Sequence, residues 1–382
     1  MVSKKLLSNG LRAVSIPMPH VKSVTALVMV AAGSRYEDKA NNGVSHFLEH
    51  MVFKGTKKRP NKLAISSLLD GIGASYNAFT SKEYTGFFVK AAADSLETIV
   101  EVLGDILQNS LFAPEEIERD KGVIIEEINM YEDEPSSRVF ELFEQLLYDG
   151  SPLAMRISGP KEIVARMTRD QIVGYFNKMY TSGSVVVGLS GKIGGNPFPL
   201  LEKHFNKIKK APANKFLPAS DLQIKPAGMV YYKKTDQAHL CLCVRAYPLN
   251  HPDRYALDLL STILGGNMSS RLFHEVREKR GLAYSIGAGS EEYLDCGYLL
   301  AQGGLQIPKI YEAIKVILEQ FDVIRSKNVS DQELRRAKDY WKGKMVLALE
   351  DTYRVANFYL GKEVLLGKME SPEKVLLEVE KV

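Results

Sequence analysis

Residues 43–53 read Gly43-Val44-Ser45-His46-Phe47-Leu48-Glu49-His50-Met51-Val52-Phe53, and from this stretch the fold and the chemistry can both be worked outward. As a helix it sets His46 and His50 four residues apart, on one face and about one turn from each other. Two imidazoles so placed can share one metal ion. Glu49, three residues beyond His46, leans toward the remaining coordination position, where it can take a proton from water. The pattern describes a zinc hydrolase. A single helical histidine is more often a core or surface residue, so a third ligand is required before the motif carries a mechanism.

Composition narrows the class. A chain of 382 residues is too long for one ordinary core and predicts two domains. It is 45% hydrophobic and 25% charged, as soluble globular proteins are. A net charge of +4 is small for this length and does not argue for nucleic acid. There is no run of about 18 apolar residues to cross a membrane. Nor has the N-terminus the apolar core of a signal peptide, which predicts a cytoplasmic protein. Three cysteines, Cys241, Cys243 and Cys296, make no disulfide framework and fit a reducing compartment. Cys241 and Cys243 alternate along an apolar run and read as packing residues on one face of a strand.

The second half of the chain repeats the first. Strand-like Gly10-Leu11-Arg12-Ala13-Val14 resembles Gly228-Met229-Val230-Tyr231-Tyr232. The apolar run 24–30 matches 240–244, and helical 42–53 matches 253–264. Amphipathic 94–108 corresponds to 307–321. Ala113-Pro114-Glu115-Glu116 and Ser330-Asp331-Gln332-Glu333 each open a long helix with proper N-terminal signals. The fold expected is α+β: two homologous mixed α/β sandwich domains, residues 1–208 and 227–382, joined by a linker over 209–226. In the first half, residues 159–167 are followed by a helix (168–179) and a strand (184–189), whereas 371–382 matches only the 159–167 stretch. The second domain is therefore expected to lack its last helix and strand. Gly265-Gly266 has no following Gly-Lys-Ser/Thr, which argues against a phosphate loop.

The long helix from Pro114 carries Asp120, Glu126 and Glu127. Asp120 and Glu127 are seven apart and share a face. Helical carboxylates usually form a solvated face. Here Val123-Ile124-Ile125 and Ile128 bury part of the helix, so a carboxylate beside them needs a cation or hydrogen-bond donors.

His-x-x-Glu-His followed by 76 residues and then Glu127 resembles the pitrilysin/insulinase family of zinc peptidases, the inverzincins. Ala32-Gly33-Ser34-Arg35-Tyr36-Glu37, Tyr76-Asn77-Ala78-Phe79-Thr80-Ser81, Met268-Ser269-Ser270-Arg271-Leu272-Phe273 and residues 277–284 carry the likeness along the whole chain. It is closest to the short, two-domain branch that includes mitochondrial-processing-peptidase-like proteins.

The resemblance implies one zinc per chain held by His46, His50 and Glu127, with water in the fourth position and Glu49 as general base. Glu126 competes with Glu127 but points about 100° away around the helix. Asp120 stands where relatives have a supporting glutamate. Asn77, with Ala78 and Phe79, is implied to hold substrate backbone as an added strand. The second half has no ligand set near residues 254–258 or at Lys344, but supplies Arg277 and Tyr284, implied to contact substrate and the tetrahedral oxyanion. The implied activity is endopeptidase cleavage of unfolded or extended peptides in a chamber closed by two chains, as a homodimer or as a heterodimer with a metal-free homologue. The alternatives are a non-catalytic scaffold or partner of an active peptidase, like the core subunits of respiratory complexes, and a metal hydrolase of another substrate class.

Overall fold

The structure is a computed structural model that describes residues 1–219 and 223–382. Residues 220–222, inside the expected linker, lie outside the described residues. In chain order the strands are β1 (Ser3–Leu6), β2 (Arg12–Pro17), β3 (Ser23–Val30), β4 (Ser75–Thr80), β5 (Thr85–Ala92), β6 (Val185–Gly191), β7 (Ala238–Ala246), β8 (Ala283–Glu292) and β9 (Gly297–Leu305). The helices are α1 (Val44–Met51), α2 (Lys62–Gly71), α3 (Leu96–Asn109), α4 (Pro114–Asp133), α5 (Pro135–Leu147), α6 (Lys161–Arg166) and α7 (Arg169–Met179). They continue as α8 (Phe198–Phe205), α9 (Arg254–Gly265), α10 (Ile310–Ser326), α11 (Asp331–Ala348), α12 (Thr352–Leu366) and α13 (Pro372–Lys381). No described helix is long and apolar enough to cross a membrane.

Two compact units result. The first comprises Met1–Ile128, Ser151–Leu217 and Ala348–Glu370, the second Asn129–Gly150, Pro218–Leu347 and Ser371–Val382. A cut at 209–226 would put α5 in the first domain and α12 in the second; contacts group each with the opposite unit.

In the first unit the sheet order is β1-β2-β6-β3-β5-β4, with only β2 and β6 parallel. Along β3, Val24, Ala26, Val28 and Val30 face a core shared with Phe47, Leu48, Leu103, Ile124 and Ile172 from the helices. The intervening Leu27 and Met29 face Val355, Ala356, Tyr359 and Leu360 of α12. Both faces are dry, which is why β3 is a continuous apolar run rather than an alternating one. Gly188 lets α12 approach, since a Cβ there would sit 2.5 Å from Leu360 Cδ1. The buried Glu363 ties α12 to the sheet's edge by accepting from Lys4 Nζ (2.7 Å) and Arg12 Nη1 (3.3 Å).

In the second unit three strands pair in the order β7-β9-β8. Leu257 and Leu264 of α9 and Val316 and Ile317 of α10 pack with Leu299, Ala301 and Leu305 of β9. From α5, Phe143 meets Tyr298 edge-on at 5.0 Å, and Glu144 accepts from the Tyr293 hydroxyl at 3.0 Å. Burial lifts the Cys241 and Cys243 thiols to about 12 and about 11, consistent with packing rather than reactivity.

One expected strand did not form. Residues 228–232 are irregular, with Val230 98% and Tyr232 87% exposed. Their counterpart β2 is a strand because β6 pairs with it. Among the described residues the second unit has no strand in the place of β6, so the backbone of 228–232 finds no ladder partner. The short helix α13 occupies the repeat position of α6, and among the described residues no helix or strand follows it in the places of α7 and β6. The second unit's sheet has three described strands against six in the first, a larger difference than the single strand the repeat predicted.

Candidate metal centre

Helix α1 is anchored at both ends of its first turn by groups outside it. Its N-cap, Gly43, is left-handed (φ 99°) and carries no capping side chain. A Cβ there would come within 2.7 Å of the Ser158 carbonyl, so glycine is required on both counts. The Glu37 carboxylate does the capping instead. Its Oε2 accepts from Gly43 N (2.7 Å) and Asn42 Nδ2 (2.8 Å), and its Oε1 from Ser45 N (2.8 Å). Burial raises the Glu37 carboxyl above its ordinary value, against the pull of these donors from Gly43, Asn42 and Ser45. Ser45 Oγ lies 2.9 Å from the buried Tyr175 hydroxyl on α7.

The inner face of α1 buries Phe47, Leu48 and Met51 in the core, which turns His46 and His50 toward α4. His46 Nε2 lies 3.5 Å from Glu127 Oε1 and His50 Nε2 lies 3.4 Å from Glu127 Oε2. The imidazole centroids are 4.8 Å apart. Donors about 2.0 Å from a tetrahedral zinc lie about 3.3 Å from one another, so these separations suit one ion between the three side chains. Two nitrogens and a carboxylate oxygen are also the donor types zinc takes in open catalytic sites. Among the described residues no other group of His, Cys, Asp or Glu comes together in this way. Glu126 is exposed on α4, where Glu127 is half-buried.

Electrostatics agree with a site built for a cation. His46 and His50 hold the Glu127 carboxyl well below its ordinary range. Burial opposes charging of His50, but Asp120 and Glu127 outweigh it and lift the imidazole to about 9. Asp120, fully buried, sets Oδ2 3.3 Å from His50 Nδ1 and Oδ1 against Lys54 Nζ. Burial disfavours the Asp120 anion, yet His50 and Lys54 pull its pKa below the ordinary value. This carboxylate beside the Nδ1 side leaves Nε2 of His50 facing Glu127. Glu49 accepts from Thr80 Oγ1 on β4 at 2.6 Å.

Asn77, Ala78 and Phe79 lie on β4, the terminal strand of the sheet, which among the described residues pairs with β5 alone. The Asn77 side chain accepts from Ala78 N at 2.9 Å. Phe79 covers Gly86, where a Cβ would meet its ring at 2.2 Å, so this side chain is a packing group. In the second unit Arg277 lies in a π-helical stretch, Phe273–Glu278, with its guanidinium 5.3 Å from the ring centre of the exposed Tyr284. Sequence reasoning missed Glu37, Lys54 and Thr80 as site groups. Glu37 and Thr80 fell within segments quoted for the family likeness, and Lys54 lies four residues past His50, one turn on.

Comparison with known proteins matches two family models in succession along the chain. Residues 12–161 match the family described as Insulinase (Peptidase family M16), and residues 166–340 match the Peptidase M16 inactive domain. An uncharacterized zinc protease of Bacillus subtilis is 34% identical over 382 residues, 100% of this chain and 93% of the relative. One from Streptomyces coelicolor is 34% identical over 388 residues, covering 100% and 84%. Among solved structures, a protease from Helicobacter pylori superposes with a TM-score of 0.92 at 22% identity, covering 100% of this chain and 93% of that one. A chain of Complex III2 from Candida albicans superposes at 0.86 and 19% identity, covering 100% and 90%.

Proposed function

Because the chain belongs to the insulinase family of peptidases, M16, we propose that it is a zinc-dependent endopeptidase that hydrolyses unfolded or extended peptides. The observation that carries this is the convergence of His46 Nε2, His50 Nε2 and Glu127 on one point, beside a Glu49 carboxylate held by Thr80. Zinc, when bound by these three residues, supplies a Lewis acid that brings the pKa of water to about 7. Glu49 takes the proton of the attacking water and delivers it to the departing amine. Asp120 and Lys54 fix the His50 ring. The unpaired edge of β4, from Ser75 to Thr80, receives substrate backbone as an added strand, with Asn77 beside it. The roles of Arg277 and Tyr284 in contacting substrate rest on the family resemblance, as does closure of the chamber by two chains. Cys241, Cys243 and Cys296 form no disulfide with one another, which suits a reducing cytoplasm.

A scaffold without activity is the second reading, favoured by the likeness to a Complex III2 chain and to the inactive-domain family. The two are separated by metal analysis together with cleavage of a quenched fluorescent peptide, with and without chelator. The enzyme retains zinc but loses cleavage in Glu49→Gln. Wild-type turnover in that variant, or no chelator-sensitive cleavage by the native protein, overturns the proposal. Oligomeric mass measured alongside tests the dimer.

A further inference from the structure

We propose that Glu37 is a positioning residue for the metal centre, setting the axial rotation and height of α1 and thereby the aim of both histidines. This inference rests on the zinc-peptidase reading of the site. Glu37 lies seven residues before the helix begins and nine before His46. Its side chain nonetheless takes the hydrogen bond that an N-cap side chain would take, from Ser45 N, and accepts as well from the N–H of the N-cap Gly43 itself. An ordinary capping residue moves with its helix. Glu37 instead belongs to the preceding loop, which is fastened elsewhere. Asn42, which donates to Glu37 Oε2, also donates to the Arg156 carbonyl at 2.8 Å. Arg35, two residues back, pairs with Glu83. The helix is therefore pinned to the body of the unit through a carboxylate that is 4% exposed.

Position matters here because α1 is only eight residues long and carries His46 in its first turn. A short helix has little rigidity of its own. A shift of the first turn moves His46 Nε2 relative to His50 and Glu127, whose donor atoms sit within 4.8 Å of one another. The carboxylate is needed in particular because it accepts on both oxygens. A glutamine can accept on one only, and its amide group would face the N–H donors on the other.

The test uses the full-length chain with zinc or cobalt alone as probe. Glu37→Gln is expected to weaken zinc in chelator competition by about 10- to 100-fold and to alter the visible spectrum of bound Co²⁺. Glu37→Asp should fall between it and wild type. Leu69→Ala, a core change in the same unit, serves as the control: it lowers the melting temperature but leaves the cobalt spectrum as it was. Amide exchange in α1 is the metal-independent readout, and it should quicken in Glu37→Gln while exchange in α3 does not. If Glu37→Gln binds zinc and exchanges in α1 like wild type, the inference is overturned. If wild type binds no metal, the peptidase reading falls, and the exchange of α1 still decides the role of Glu37.

Discussion

Thr80 Oγ1 donates a 2.6 Å hydrogen bond to Glu49 Oε2, joining the free edge strand β4 to the helix that carries both histidines. The same strand that is proposed to receive peptide therefore holds the proposed base. Thr80→Val removes the donor while keeping the shape. Freed of it, the Glu49 carboxylate samples other rotamers, and we expect kcat to drop about tenfold, a loss of about 1.4 kcal/mol in transition-state stabilisation. Zinc content and KM should stay near wild type, and Thr80→Ser should recover most of the rate. A fall in KM-controlled binding alone, with kcat intact, would place Thr80 in substrate contact instead.

Lys54 and His50 flank a carboxylate, Asp120, that has no exposure to solvent. Lys54→Met leaves this anion facing His50 alone. Stripping one partner from a buried pair costs about 3 kcal/mol. Bound zinc places positive charge on the far side of His50 and offsets part of that loss. Melting temperatures in chelator and in zinc should therefore differ more for Lys54→Met than for wild type. Equal differences would show that Lys54 acts on the protein surface and not on the site.

Some of this was legible in the sequence and some could not be. The facing of His46 and His50, and of Asp120 and Glu127, follows from helical period alone, so the ligand set is local information in two pieces. That the two pieces meet is a tertiary fact, supplied by burial of Phe47, Leu48 and Ile124 in one core. Residues 228–232 have the composition of β2 but not its partner, and strand formation depends on pairing more than on propensity. Glu37 is an acidic residue in a loop, and nothing in its neighbourhood signals that it caps a helix beginning seven residues on.

Helix α12 shows the same limit on a larger scale. Its apolar residues are spread around the helix and do not say which sheet covers it; the answer is the sheet of the first unit, through Val355, Tyr359 and Leu360. A fragment of residues 1–208 would leave Val14, Leu27, Met29 and Val186 without that cover. We expect it to bind a hydrophobic dye and to lack a cooperative melt, and a peptide of residues 348–370 added in trans to abolish the dye binding and restore the melt. In the whole chain, Leu360→Ala should cost about 2–5 kcal/mol, the range for an emptied core site. A fragment that melts cooperatively alone would show that α12 is dispensable.

In the second unit, Arg271 grips Glu333 at the start of α11 with two parallel hydrogen bonds, Nε to Oε1 and Nη2 to Oε2, each 2.9 Å. Arg271 holds the Glu333 carboxyl down at about 2, against an ordinary value of 4.5. The sign follows from linkage: a carboxyl depressed on folding adds stability that is complete above its unfolded pKa and disappears as pH falls through the folded one. The window here runs from about 4.5 down to about 2. Arg271→Met removes the cause of the depression, so it should lower the urea midpoint at pH 5.5 and lower it less at pH 3.5. Glu333→Gln should show the same narrowing, and the double variant should add little to either, since both act on one pair. Groups shared by all the variants, including His50 and Glu127, titrate alike in each and cancel from the comparison. A penalty for Arg271→Met that is equal at the two pH values would mean that its contacts stabilise the unit by packing and not through the charge on Glu333.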